Sequence, residues 1–264
     1  MSIIEALILG LIQGLTEFLP VSSSGHLIIG RSLLGVEATE NVAFEVVVHA
    51  ATVCSTITVL WMEIWKLLQG VLKFRWNDEM QYACKILVSM IPVLLVGLFL
   101  KDQVEALFGE GVLLVGIMLL ITALLLALTH FVRFAERRDI GFGSALVVGI
   151  AQAVAVLPGL SRSGSTIATG LLLGVKKEEM AKFSFLMVLV PILGEAFLEL
   201  VGGDFSASTS GISSGALLAG FASAYVFGLL ACKFMIELVK RAKLIWFAAY
   251  CAVVGVVAIL SQVL

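Results

Sequence analysis

The sequence predicts an all-α integral membrane protein with six transmembrane helices plus two re-entrant helical hairpins in an inverted-topology repeat. Three observations carry that expectation. Of 264 residues, 60% are hydrophobic and 14% charged, with a mean hydropathy of +1.10, beyond what a water-soluble domain of this length tolerates. The apolar residues fall in runs long enough to cross a hydrocarbon core of about 30 Å as helices. Two of these runs are cut in the middle by Pro, Gly and Ser, and the two cuts are related in sequence. A transmembrane barrel is excluded, because its strands alternate apolar and polar residues over about 10 positions, whereas Leu113–Leu128 is apolar on every face.

The first broken region covers 1–35, and each half is too short to cross alone, so it reads as a hairpin that dips in and returns to the same side. Uninterrupted spans follow near 43–64, 84–100 and 112–131. The second broken region, 144–174, reads in the same way, and spans near 183–201, 213–235 and 244–264 complete the chain. With both hairpins re-entrant, one side receives only Arg31 and Lys101, Arg162 sits in a break, and every other Lys and Arg falls on the other side. The positive-inside rule makes the rich side cytoplasmic, with both termini and the first hairpin's mouth outside. The stretch 202–215 carries no Lys or Arg and reads as a flexible outer loop. Near the N-terminus Glu5 stands in place of a basic leader, so the first apolar segment is expected to stay in the mature protein. Cys54, Cys84, Cys232 and Cys251 lie in or at the ends of apolar segments without ligand spacing and read as packing residues. A net charge of −2 points to no nucleic-acid partner.

Sliding the chain against itself by 139 residues places GLIQGLTEFLPVSSSGHLIIGRSLLG (10–35) on GIAQAVAVLPGLSRSGSTIATGLLLG (149–174) without a gap. Gln13 falls on Gln152, Ser22 on Ser161, Ser24 on Ser163 and Gly25 on Gly164, and Phe44 pairs with Phe183 further on. The reading is a single membrane domain over 1–264, with repeat 1 over about 1–130 and repeat 2 over about 140–264. Three spans separate the hairpins, an odd number, so the second copy enters from the opposite face. Broken helices in inverted repeats commonly meet near the bilayer midplane, their half-helix N-termini directed at an anionic group.

The residues at the breaks suit an anion. Ser161, Arg162, Ser163, Gly164, Ser165 and Thr166 open a helix whose first turn has unpaired N–H groups, and with a guanidinium they make a phosphate cradle. An arginine deep in an apolar bundle costs at least about 3 kcal/mol and demands a partner. The plainer reading pairs it with Glu17 or backbone carbonyls only to hold the bundle together. In the first break Gln13 and Glu17 share a helical face, and Ser22, Ser23, Ser24, Gly25 and His26 follow. A carboxylate, hydroxyls, an imidazole and an opposing arginine suit phosphoryl chemistry. His49 reads as a core hydrogen-bonding residue, His130 as interfacial, Pro191 as a kink, and Glu195 and Glu199 as weaker candidates to line a polar cavity.

At these residues the chain resembles a family. Gln13–His26 looks like the E/Q-x-x-x-E and PVSS-x-GH motifs of bacterial undecaprenyl-diphosphate phosphatases of the BacA/UppP type, and Pro158–Thr166 resembles that family's PGxSRSGxT motif. The resemblance covers nearly the whole chain. It implies hydrolysis of undecaprenyl diphosphate to undecaprenyl phosphate, recycling the lipid carrier for peptidoglycan and cell-wall synthesis and conferring bacitracin resistance. It also implies a divalent cation, Mg²⁺ or Ca²⁺, a frequent homodimer, and an inner-membrane location with the active site opening outward. By position, Glu17 matches the essential acidic residue and metal ligand, Ser23 and His26 the candidates for nucleophile or general base, and Arg162 the arginine that grips the diphosphate. Ser22, Ser24, Gly25, Ser161, Ser163, Gly164 and Thr166 match its binding residues. Two positions depart from the pattern. Gln13 gives the cation one carboxylate fewer, and Cys251 follows Tyr250 where some members carry an Arg, a loss that Lys243 could offset. A transporter or flippase of anionic polyprenyl lipids is the alternative, because inverted repeats with broken helices also serve alternating access.

Overall fold

Inside a bilayer the backbone must satisfy its own N–H and C=O groups, so long apolar runs close as α-helices. The computed structural model describes residues 1–36, 42–108, 111–132, 139–202, 212–241 and 244–263. Among them the chain forms α1 (Ile3–Phe18), α2 (Ser23–Leu34), α3 (Val42–Val59), α4 (Trp61–Val71), α5 (Asp78–Phe99) and α6 (Lys101–Phe108). After these come α7 (Gly111–Phe131), α8 (Phe142–Val154), α9 (Arg162–Leu172), α10 (Lys177–Gly202), α11 (Ser214–Lys240) and α12 (Ile245–Val263). Arg133, Arg137, Arg138, Lys243, the 203–211 stretch and the side chains of Glu195 and Glu199 lie outside the described residues.

The chain is an all-helical, multi-pass membrane protein. Among the described residues four helices, α5, α7, α11 and α12, are long and apolar enough to cross a bilayer by themselves. α3 and α4 are long and apolar enough only when taken together, and the two meet at a bend of 78°. The continuous span expected over 43–64 therefore ends at Val59. Beyond Leu60 the chain turns into an amphipathic helix that exposes Trp61, Met62 and Trp65 and directs Glu63 to Lys182 at 2.7 Å, a pattern suited to the membrane interface. The span expected at 84–100 begins earlier, at Asp78, because Asn77 caps it by accepting from the Met80 N–H. The one expected at 183–201 belongs to a 26-residue helix that starts at Lys177 and carries Glu178, Glu179 and Lys182 in its first two turns.

Both broken regions are helix pairs, α1 with α2 and α8 with α9, and in the first pair Gly30 faces Leu9 and Ile12. Small residues set how closely their long helices lie to neighbours. A Cβ on Gly14 would stand 2.6 Å from the Ala224 carbonyl oxygen and 2.9 Å from the Gly228 nitrogen, so α1 and α11 meet backbone to backbone, pinned by Ser223 donating to the Leu7 carbonyl at 2.8 Å. Gly149 of α8 lies against Ser89 of α5 in the corresponding way, and Gly116 of α7 against Gly255 of α12. All four cysteines are free; Cys232 and Cys251 are buried, and Cys54 is exposed.

A cavity of about 660 Å³ lies at the ends of α4, α5 and α10, lined by Glu63, Lys66, Asp139, Lys176, Glu179 and Lys182 among others. Its lysines are tied to carboxylates, Lys182 to Glu63 at 2.7 Å and Lys176 to Asp139 at 2.6 Å, so it works as a charged clasp between helix ends. None of the motif residues lines it.

Candidate active site at the two helix breaks

Each break is made by the same local device. Ser22 caps α2 by accepting from the Gly25 N–H at 3.3 Å, and Ser161 caps α9 by accepting from the Gly164 N–H at 3.0 Å. Behind each cap the second hydroxyl sits at the same separation, Ser24 3.4 Å from Ser22 and Ser163 3.4 Å from Ser161. The breaks also touch one another. A Cβ on Gly25 would lie 3.1 Å from the Gly159 Cα, and one on Gly164 would lie 3.2 Å from the Pro20 Cβ. Those two contacts exchange under the 139-residue offset. Gly159 is held at φ +92 with its Cα against Val115, which suits only glycine. The copies differ at the cap itself, where Ser161 is extended and Ser22 has φ 72, a strained value for a residue with a Cβ.

Glu17, in the last turn of α1 and with a side chain 6% exposed, is the hub. Arg162 Nη2 donates to its Oε1 at 2.6 Å. Ser23 Oγ donates to Oε2 at 2.7 Å, and Gln13 Nε2 donates to the same oxygen at 3.0 Å. Two expected residues of the first break, Gln13 and Ser23, and the arginine of the second therefore converge on the Glu17 carboxylate. Ser163 adds a second tie by donating to the Leu19 carbonyl at 3.2 Å. Ser161 N–H donates to Thr122 Oγ1 at 3.0 Å, anchoring the second break on α7. Thr166 is turned away, bonded to the Arg162 and Ser163 carbonyls and to Ser184 Oγ at 2.7 Å, so it supports α9 against α10.

His26 faces elsewhere. Its Nδ1 lies 2.8 Å from the Ser22 carbonyl, which can only accept, so Nδ1 carries the proton and the neutral ring presents a bare Nε2. That nitrogen lies 2.9 Å from the Tyr250 hydroxyl, which donates to it, and the two rings stack at 5.6 Å. Among the described hydrogen bonds none joins His26 to Glu17. His49 does reach the hub: its Nδ1 donates to the Glu45 carbonyl at 2.8 Å, and its Nε2 stands 3.8 Å from Glu17 Oε2. Tyr250 and His49, like Thr122, Thr52, Thr56 and Ser184, are polar groups that sequence reasoning does not assign to the site. A signal for His49 exists, because the repeat offset sets it on Val188 just as it sets Glu17 on Val156.

Beside the hub, a narrow cavity of about 20 Å³, room for about one water, is lined by Glu17, Thr52, Thr56, Arg162, Ser163 and Phe185 among others. Arg162 has a side chain 27% exposed, and one of its five N–H donors serves Glu17, leaving others for an anion.

The family model described as "Bacitracin resistance protein BacA" matches residues 6–257. The chain belongs to the BacA family. It is 55% identical over 266 residues to the undecaprenyl-diphosphatase of Bacteroides thetaiotaomicron, covering 99% of this chain and 100% of that protein. The protein of that name from Bacteroides fragilis is 57% identical over 258 residues, 97% of this chain and 96% of the relative. A third, from Methanosphaera stadtmanae, is 37% identical over 280 residues, 100% of this chain and 99% of the relative.

Two features of this BacA-family chain bear on its departures from the motif pattern. Cys251 is fully buried beside Val21, Val115 and Leu119, with its thiol directed at the Pro20 carbonyl at 3.6 Å, so the last helix packs an apolar group on the first break. Gln13 is fully buried, and its Oε1 has no hydrogen-bond partner among the described residues. Such an orphaned hard oxygen, on the amide whose Nε2 donates to the Glu17 carboxylate, fits a divalent cation whose remaining ligands come from phosphate and water, the usual arrangement for Mg²⁺. Among the described residues no group of three His, Cys, Asp or Glu side chains forms an all-protein cage.

Proposed function

We infer that the protein is an integral-membrane phosphatase that converts undecaprenyl diphosphate to undecaprenyl phosphate, and that this recycling underlies bacitracin resistance. The family and the names of relatives aligned over the full chain support the reaction. The observation that carries it at the level of residues is the junction of Arg162 from one break with Glu17 and Ser23 from the other. The transporter reading gains nothing from those relatives.

In the reaction we propose, the diphosphate takes the free donors of Arg162 and the first-turn N–H groups of α2 and α9, with Ser22, Ser24, Ser161, Ser163, Gly25 and Gly164 keeping those helix starts open. The space beside the hub holds about one water, so the headgroup enters as Arg162 swings away from Glu17. Ser23 Oγ attacks the terminal phosphorus, because it already donates to the carboxylate that receives its proton. Its hydroxyl bond breaks, a P–O bond forms, and the bridging bond breaks with its electron pair remaining on undecaprenyl phosphate; water then releases the phosphate from serine. His26 orients the first break through the Ser22 carbonyl and Tyr250. Gln13 Oε1 and Glu17 would hold a divalent cation, Mg²⁺ or Ca²⁺. When bound, it neutralises charge on the diphosphate and the leaving oxygen.

Six crossings with two re-entrant hairpins, arranged as inverted repeats of about 1–130 and 140–264, account for the matched caps and the exchanging contacts of the two breaks. On the charge count the site opens to the extracytoplasmic side of a bacterial inner membrane. The deciding experiment is phosphate release from undecaprenyl diphosphate by purified protein in detergent. Turnover that is lost in Arg162→Ala supports the enzyme; tight binding without phosphate release overturns it.

A further inference from the structure

A diphosphate seated at the hub brings a hydrocarbon with it. The isoprenoid begins one oxygen away from the phosphate that stays with the lipid, so an apolar chain must leave the hub without running over polar groups. Most directions are closed to it. Toward α11, a Cβ on Gly14 would stand 2.6 Å from the Ala224 carbonyl oxygen, so no chain passes between those helices. Toward α7, Gly25 lies against Gly159 and Gly159 against Val115. Outward stand His49, 3.8 Å from Glu17 Oε2, and the Arg31–Glu45 ion pair, a polar mouth that suits a headgroup better than a hydrocarbon.

The seam between α3 and α10 is different. These two helices supply the apolar wall of the cavity beside the hub, with Val53, Val188, Leu189 and Ile192. The hydroxyls on that wall are already spent: Thr52 donates to the His49 carbonyl at 2.8 Å, Thr56 donates to the Thr52 carbonyl at 3.0 Å, and Ser184 is paired with Thr166 at 2.7 Å. Phe18 and Phe185, edge to face at 5.5 Å, complete the lining. Both helices pass from this wall to the exposed surface within one residue. Buried Val53 is followed by exposed Cys54, and buried Ile192 by Leu193, which is 49% exposed.

α10 is also built to yield there. Pro191 has no N–H for the Met187 carbonyl one turn back, and at Gly194 nothing lies within 4 Å of where a Cβ would stand. The half of α10 that carries Ile192 is thus tied to the first half by one hydrogen bond fewer and meets no neighbour at Gly194.

We propose that the seam between α3 and α10 is the isoprenoid site: Val53, Val188, Leu189 and Ile192 hold the first prenyl units while the diphosphate sits on Arg162, and the rest of the tail passes out between the two helices into the bilayer. The inference rests on the phosphatase reading of the same site and names the part of the lipid that the seam recognises. The cavity has room for about one water, so the seam parts along α10 as the chain enters. Recognition is by apolar contact alone, so it favours a polyprenyl chain and offers nothing to inorganic diphosphate.

The test uses detergent-purified full-length protein and an undecaprenyl diphosphate analogue with a diazirine on its first prenyl unit. Illumination is expected to label α3 and α10 around Val53 and Ile192, and undecaprenyl diphosphate is expected to compete the label away. Label confined to α11 or α12, or label that ignores the competitor, overturns the site. In Ile192→Ser, KM for undecaprenyl diphosphate should rise about tenfold, the scale of a lost buried aliphatic contact, while Ki for inorganic diphosphate stays within about twofold. Val190→Ser, on an exposed face of α10, should keep the wild-type KM. An unchanged KM in Ile192→Ser overturns the assignment, and so does a Ki that shifts in parallel, which marks a packing residue. Wild type that is labelled at the seam but releases no phosphate sinks the phosphatase reading and keeps the lipid site; phosphate release with the label elsewhere does the reverse.

Discussion

Arg162 and Glu17, 145 residues apart in sequence, form an ion pair at 2.6 Å that joins the two helix breaks. A guanidinium at this depth needs a counter-charge, and removing one partner leaves the other buried and unpaired. Arg162→Ala should therefore lower stability by about 3–5 kcal/mol and abolish most turnover. Glu17→Gln combined with Arg162→Ala should recover much of the unfolding midpoint and none of the phosphate release. If the double variant turned over substrate, the pair would be structural only.

The approach of the breaks rests on Gly159. A methyl group there meets the Val115 Cα at 2.7 Å, and φ +92 is a conformation alanine adopts at about 1–3 kcal/mol. Gly159→Ala should show reduced folded yield, a lower unfolding midpoint and a reduced kcat. Gly97→Ala is the control: nothing lies within 4 Å of a Cβ at that position, and its effect should stay within about 0.5 kcal/mol.

Much of this arrangement is legible in the order of the residues. The 139-residue offset locates both breaks, and the rule that a buried arginine needs a partner points to Glu17 for Arg162. The same offset also contains asymmetry. Polar groups that meet at the hub stand where the other copy is different, Glu17 against Val156, Ser23 against Arg162 and His49 against Val188. Sequence pattern leaves His49 in the core, because a helix face cannot be aimed from periodicity alone once every face is apolar. The pairing of Tyr250 with His26 spans 224 residues and has no counterpart under the offset, which sets His26 on Ser165 and Tyr250 on Gly111, so no local pattern announces it. The 78° bend after Val59 is hidden because hydropathy runs on through Leu60, Trp61 and Met62 while the helix does not.

Tyr250 should act on the rate through His26. Tyr250→Phe keeps the ring stacked at 5.6 Å and deletes the hydroxyl that donates to Nε2 at 2.9 Å. Losing a hydrogen bond of about 0.5–1.5 kcal/mol that orients the first break should reduce kcat about threefold to tenfold with KM little changed. Tyr250→Ala, which also removes the stacking, should cost more. Identical kinetics in Tyr250→Phe and wild type would show that His26 needs no such support.

Far from the hub, Glu179 makes stability depend on pH in a direction that can be worked out. Burial pushes its carboxyl above the ordinary glutamate value of 4.5, the Ile140 N–H donating at 3.0 Å pulls it back, and nearby Asp139 pushes it up again. The folded protein therefore holds this proton at pH values where the unfolded chain has already lost it. Stability from this group is greatest below 4.5 and declines as pH rises through the elevated folded value. Asp139 acts oppositely: the neighbouring Lys176 holds its carboxyl below the ordinary range, so its contribution is present at neutral pH and fades on acidification. Glu179→Gln keeps an oxygen for Ile140 and removes the charge. Its unfolding midpoint should exceed that of wild type at pH 7 by about 1–3 °C, the scale of a partly screened charge in a chain of this size. The difference should vanish near pH 4. A gap that widens on acidification would mean that Glu179 is stabilised as the carboxylate, with its charge satisfied by the lysines of the clasp.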